Sequence, residues 1–224
     1  MGLIIVEATA IEPEGRITAN DLGVWDDEHV KGLKWITKQI HANEAKACLQ
    51  IAHAGRKSRA TEVPKAPSAI AFEGYPEPSA LTVDDIKALI EKYRQATRRA
   101  KEANFDCIEI HAAHGYLIHE FTSPLTNTRT DQYGGTQVNR NRFLYEVIAA
   151  VRSEWPLDLP LSLRISAEDY VKEGLHPQQW AEIINGLPHG YVDIVHVSSG
   201  GLVKVPIDDY PGYQLMFAKK IRKD

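Results

Sequence analysis

Five short runs of β-branched and aliphatic residues, each followed by a stretch of helical periodicity, restrict the fold of this chain more than any other feature. The runs are Leu3–Ala8 (LIIVEA), Ala47–Ala52 (ACLQIA), Asp106–Ala112, Leu161–Ser166 (LSLRIS) and Val192–Ser198 (VDIVHVS). They are nearly continuous in hydrophobicity, as expected of parallel strands buried on both faces. Between them lie helix candidates. Asp26–Ala42 starts acidic and carries Val30, Leu33, Ile36 and Ile40 at helical spacing. Thr82–Ala103 opens T-V-D-D, an N-cap with acids in its first turn. Gln137–Glu154 sets Phe143, Leu144, Val147, Ile148 and Val151 on one face, Pro177–Asn185 begins at a proline, and Gly212–Lys223 closes the series. Such alternation predicts a parallel sheet with right-handed crossovers. A closed (β/α)8 barrel needs eight units and about 250 residues. Five units predict a smaller open sheet, or the middle of a barrel lacking units at both ends.

Composition narrows the function classes. The chain has 224 residues, 43% hydrophobic and 25% charged, which suits one domain spanning 1–224 with a sizeable core. The net charge of −4 shows no basic surplus for nucleic acid or an anionic membrane. No apolar run reaches the ~20 residues that span a bilayer, and no secretory leader is visible, so a cytoplasmic protein is expected. Cys48 and Cys107 both fall in strands and read as buried reduced thiols. The longest irregular stretch, Ala54–Leu81, is rich in Pro, Ala and Gly; a loop of that length is more often functional than accidental.

Every strand ends in polar residues. The first ends at Glu7-Ala8-Thr9, and the second carries Gln50 and runs into His53-Ala54-Gly55-Arg56-Lys57. The third ends in His111, His114 and Tyr116 beside Gly115, the fourth carries Arg164 and ends at Ser166, and the fifth ends in Ser198-Ser199-Gly200-Gly201. Five polar strand ends in succession describe the rim of one pocket, where α/β sheets present their chemistry. Each residue also has a plain structural reading. Arg164 could be neutralised by Glu7 or Glu109, Gln50 satisfied by a neighbour, His53 structural, and Tyr116 merely packed. His111 and His114 could chelate zinc, although partner ligands at clear spacing are missing. The polar segment Arg129–Phe143 (RTDQYGGTQVNRNRF) reads mainly as a lattice fixing the loop before a helix.

The motifs carry a family resemblance. GLIIVEATAI with PEGRI, LQIAHAGRKS, APSAIAF, DCIEIHAAHGYLIHEF followed by N-x-R-x-D-x-Y-G-G, NRNRFLYEV, LSLRISAEDY, VHVSSGG and PGYQLMFAKKIR occur in one order over nearly the whole chain. The chain resembles the Old Yellow Enzyme family of FMN-dependent ene-reductases and NADPH dehydrogenases, nearest the bacterial thermophilic-like branch. The resemblance implies a TIM (β/α)8 barrel with FMN at its C-terminal mouth. It is present here as a partial barrel of about five βα units, lacking the first strand and the last two units with their phosphate-binding loop. It implies that Ala8 contacts the flavin through its backbone, that Gln50 bonds the pyrimidine edge, and that Arg164 lies on the N1/O2 side. His111 and His114 would donate to a substrate oxygen, and Tyr116 would supply a proton. The expected reaction is ping-pong: NADPH or NADH reduces FMN, and an enone, enal or nitroalkene then takes the hydride at its C=C bond. A homo-oligomer is allowed. The alternatives are a truncated, non-catalytic barrel fragment unable to hold FMN tightly, and a metal-dependent barrel hydrolase.

Overall fold

A computed structural model describes residues 2–223. Its strands are β1 (Leu3–Ala10), β2 (Lys46–Ala52), the two-residue β3 (Lys65–Ala66) and β4 (Ser79–Ala80), β5 (Cys107–Ala112), β6 (Leu161–Ser166) and β7 (Ile194–Ser198). Its helices are α1 (His29–Ala42), α2 (Val83–Glu102), α3 (Leu117–Thr122), α4 (Gln137–Glu154), α5 (Pro177–Asn185) and α6 (Leu215–Lys223). The main sheet runs β1-β2-β5-β6-β7, and every neighbouring pair is parallel. Each long strand therefore lies beside the next one in the chain. A doubly wound sheet reverses its order at a switch point; this sheet does not, and its progression is that of a (β/α)8 barrel. The sheet ends at β1 and β7, so the ring is not closed among the described residues. No helix among them is long and apolar enough to cross a membrane.

A strand's side chains alternate between faces. Leu49, Ile51, Ile108, Ile110, Leu161, Leu163 and Ile165 belong to one buried cluster with Leu33, Ile86, Tyr93, Phe143, Val147 and Trp180 from the helices. The other face is concave. The register sets Gln50, Glu109 and Ser162 in one row across it, and His111, Arg164 and His196 in the next row toward the C-terminal rim. A step of one residue along each strand thus separates core from chemistry.

Element limits depart from the sequence reading for local reasons. Asp26 Oδ1 accepts from the Glu28 backbone N–H at 2.9 Å, a turn that delays α1 to His29. Gly212 has φ +87°, outside the helical region, and α6 starts only at Leu215. The Asp106 carboxylate takes the Ala47 N–H at 2.9 Å, and that of Asp193 takes the Leu161 N–H at 2.8 Å. Both residues fasten the lower end of a neighbouring strand instead of extending their own. Helix α3 and the β3–β4 bridge were not expected from the sequence. The Thr82 cap behaves as read, forming a full capping box with Asp85; Thr136, which the sequence reading did not single out, caps α4 by accepting from the Asn139 N–H.

Candidate active site

The rim chemistry is built where β5 stops. His111, the second-last residue of β5, is 3% exposed. The chain then turns through His114 at φ 58° and Gly115 at φ 70° into α3. Glycine is required at 115, because a Cβ there would stand 2.4 Å from the Gly201 carbonyl oxygen. Gly201, at φ 86°, meets the same constraint in return, since its Cβ would lie 2.7 Å from His114 Cα. Ser166 at the end of β6 joins the two loops: its Oγ accepts from the His114 N–H and donates to the Gly200 carbonyl, each at 2.8 Å. Lys57 donates to the carbonyls of His114 and Gly201. The Gly200-Gly201 pair is therefore a close-packing device.

The histidine pair has a readable protonation pattern. The Ala113 N–H reaches His111 Nδ1 at 3.2 Å, so Nδ1 is an acceptor and the neutral ring carries its proton on Nε2. His111 Nε2–H donates to His114 Nδ1 at 3.4 Å, a long bond, while His114 Nε2 bonds Ser198 Oγ at 2.7 Å. Burial, aided by the nearby Arg164 cation, keeps both rings neutral: His111 falls well below its usual range and His114 to about 4. Tyr116 packs edge-on against His111, with ring centroids 4.8 Å apart. Burial raises its hydroxyl pKa, so the proton is retained at neutral pH.

Arg164 decides what the site wants. No carboxylate lies within ion-pair distance of it among the described residues, and its buried Nε has no hydrogen-bond partner. Glu109 is occupied by Gln50, Ser162 and His196, and Glu7 is solvent-exposed. The intramolecular partners that sequence allowed for Arg164 are therefore not used. A part-buried guanidinium without an anion is costly unless a ligand supplies one. Gln50, by contrast, does have a neighbour, Glu109, at 2.6 Å. Ala8 stands in an interruption of the β1–β2 register between Val6 and Thr9, which takes its backbone out of the ladder.

Other candidates resolve as structural. His53 is 1% exposed and bonds the buried Glu12 at 2.8 Å. Arg129 pairs with Asp131 and donates to the Pro67 and Leu81 carbonyls, the expected lattice. Among the described residues no group of three or more His, Cys, Asp or Glu side chains is placed to hold a metal. Sequence reasoning set Ser198, Ser166 and Lys57 on the pocket rim without individual tasks, and mentioned Glu109 only as a possible partner. Their signal was strand phase: Glu109 sits two residues before His111 on one face, as Gln50 sits opposite Glu109.

A model of the NADH:flavin oxidoreductase / NADH oxidase family matches residues 1–222. The chain belongs to that family. The Old Yellow Enzyme resemblance read from the motifs is borne out, and FMN is the family's cofactor. NADPH dehydrogenases of Bacillus velezensis and Bacillus subtilis are 50% and 49% identical over 224 residues, all of this chain and 66% of each relative. The chain thus spans just under two thirds of the length of these family members. Among solved structures, 2-naphthoyl-CoA reductase superposes with TM-score 0.92 at 27% identity, over 99% of this chain and 37% of the other. Morphinone reductase superposes with TM-score 0.83 at 30% identity, over 99% and 64%.

Proposed function

We propose that this chain forms the flavin-ring and substrate side of an FMN-dependent NAD(P)H oxidoreductase that reduces the C=C bond of activated alkenes. The observation that carries this reading is Arg164, a part-buried cation with an orphaned Nε, no carboxylate partner and two neutral histidines beside it. That arrangement fits an electron-rich heteroaromatic edge, as in the pyrimidine ring of FMN. The relatives named NADPH dehydrogenase support the same reading. Gln50, Arg164 and the backbone at Ala8 would hold the ring. Bound FMN would supply a two-electron carrier between NADPH or NADH and the alkene.

The remaining tasks fall to the chain. The long bond from His111 Nε2–H to His114 Nδ1 would be exchanged for a carbonyl or nitro oxygen held by His111, and His114 would donate from Nδ1 as well when Ser198 Oγ gives its hydrogen to His114 Nε2. Donors aimed at developing enolate-like charge in a dry site lower the barrier. Tyr116, beside His111 and still protonated, delivers a proton to the α-carbon as general acid. Lys57 holds the two loops together, which fixes the donors in place.

A second reading, a non-catalytic fragment that cannot hold FMN, is favoured by the exposed aliphatic side chains Leu3, Ile5 and Ile194 that β1 and β7 present on the concave face. Titration with FMN separates the two. The purified chain should turn yellow and keep flavin through gel filtration, and Arg164→Ala should weaken that retention at least tenfold. A chain that stays colourless in excess FMN would replace the first reading with the second.

A further inference from the structure

Glu109 is fully buried on the concave face, and the roles above do not use it. Three donors converge on its carboxylate: Gln50 Nε2 at 2.6 Å on one oxygen, Ser162 Oγ at 2.8 Å and His196 Nδ1 at 2.9 Å on the other. These bonds outweigh burial and keep Glu109 ionised. An ionised carboxylate only accepts. The amide of Gln50 must therefore turn its nitrogen toward Glu109, which leaves its Oε1 directed elsewhere. The register places Gln50 one row below His111, Arg164 and His196.

We propose that Glu109 is a positioning residue that fixes the Gln50 amide with Oε1 toward the site, so that a group bound beside Arg164 must present an N–H donor next to an acceptor. An imide-type ring edge has this pattern, with N–H for Gln50 and an electron-rich nitrogen or carbonyl for Arg164. Naming that edge as the flavin pyrimidine rests on the FMN reading; the orientation of Gln50 does not. Glutamine at 109 would offer its own NH2 to Gln50 and remove the preference.

The test has two stages. In the wild-type chain, NMR should show a Gln50 side-chain N–H shifted downfield and slow to exchange, as a charge-assisted bond requires. Gln50 amide signals at solvent-like shifts overturn the proposal without any variant. In the FMN-loaded protein, Glu109→Gln should weaken FMN binding about fivefold to tenfold, the worth of one mispaired hydrogen bond. It should also move the flavin N3–H resonance, and raise the midpoint potential by removing a negative charge below the ring. An unmoved N3–H resonance and potential overturn the role of Glu109. If Gln50→Ala and Arg164→Ala both bind FMN as the wild type does, the FMN reading fails instead, and the Gln50 amide signals alone decide the proposal.

Discussion

At the residue scale the site rests on three rings that keep or lack protons for stated reasons. His111 is a fixed Nε2–H donor because its other nitrogen accepts from Ala113. Removing one preorganised oxyanion donor lowers rates by about 10²–10³-fold. We expect His111→Ala in the FMN-loaded protein to slow alkene reduction by that order and flavin reduction by NADPH much less. Tyr116→Phe should slow only the alkene half-reaction. Stopped-flow measurement of both halves decides, and equal losses in both would remove these residues from substrate activation. The same rings predict a pH effect on stability. Their folded pKa values lie below the ordinary value of 6.5, with His114 at about 4. Between those limits the unfolded chain binds more protons than the folded one, so stability falls as pH drops from about 6.5 to about 4. Replacing His114 by Gln should flatten this part of a urea-denaturation profile taken against pH; an unchanged slope would mean other groups control it.

At the element scale the site depends on how closely the loop after β5 meets the loop after β7. Gly115 and Gly201 let the two backbones touch, and both hold positive φ. Gly115→Ala adds a methyl into the Gly201 carbonyl and strains the backbone, which together should destabilise the fold by about 2–4 kcal/mol. Thermal unfolding would register a lower Tm, and a Tm within 1 °C of wild type (about a few tenths of a kcal/mol) would show that the loops can separate. The long strands and the helices α1, α2, α4, α5 and α6 were legible from hydrophobic period, helped by the Thr82 cap at α2 and the proline that opens α5. Helix α3 was not: Leu117–Thr122 is only six residues long, and its polar His119, Glu120 and Thr122 are buried like its apolar residues, so no polar face marks the solvent side. The strand starts read at Asp106 and Val192 lie one and two residues early, because a carboxylate that fastens a neighbouring strand, Asp106 or Asp193, looks in sequence like any acid before an apolar run. In the site, residue types at strand ends were legible. Their pairing was not, since whether Arg164 meets Glu109 depends on diagonal neighbours that only register reveals.

At the scale of the whole molecule the sheet has two faces with unequal cover. Helices pack the convex face, while the concave face bears a cavity of about 450 Å³ that includes Leu3, Ile5, Cys48, Cys107 and Ile194 in its lining. Leu3 is 41% exposed, Ile5 39% and Ile194 42%, unusual for strand residues pointing into a sheet's hollow. Among the described residues the outer edge of β7 pairs with no strand, and that of β1 is met only at Ala10, by Gly23. Open parallel edges beside exposed aliphatic side chains are sites for pairing with another chain. We therefore expect this chain to self-associate at micromolar concentration through that face. Ile5→Lys with Ile194→Lys should raise the monomer fraction in sedimentation velocity, because charges on an exposed face oppose docking. The same pair should leave Tm nearly unchanged, because neither side chain belongs to the fully buried cluster on the convex side. A wild-type chain that sediments as a monomer at these concentrations would show that the concave face stays solvated. The aliphatic rows would then have no partner to cover them, and FMN retention would depend on Ala8, Gln50 and Arg164 at the rim alone.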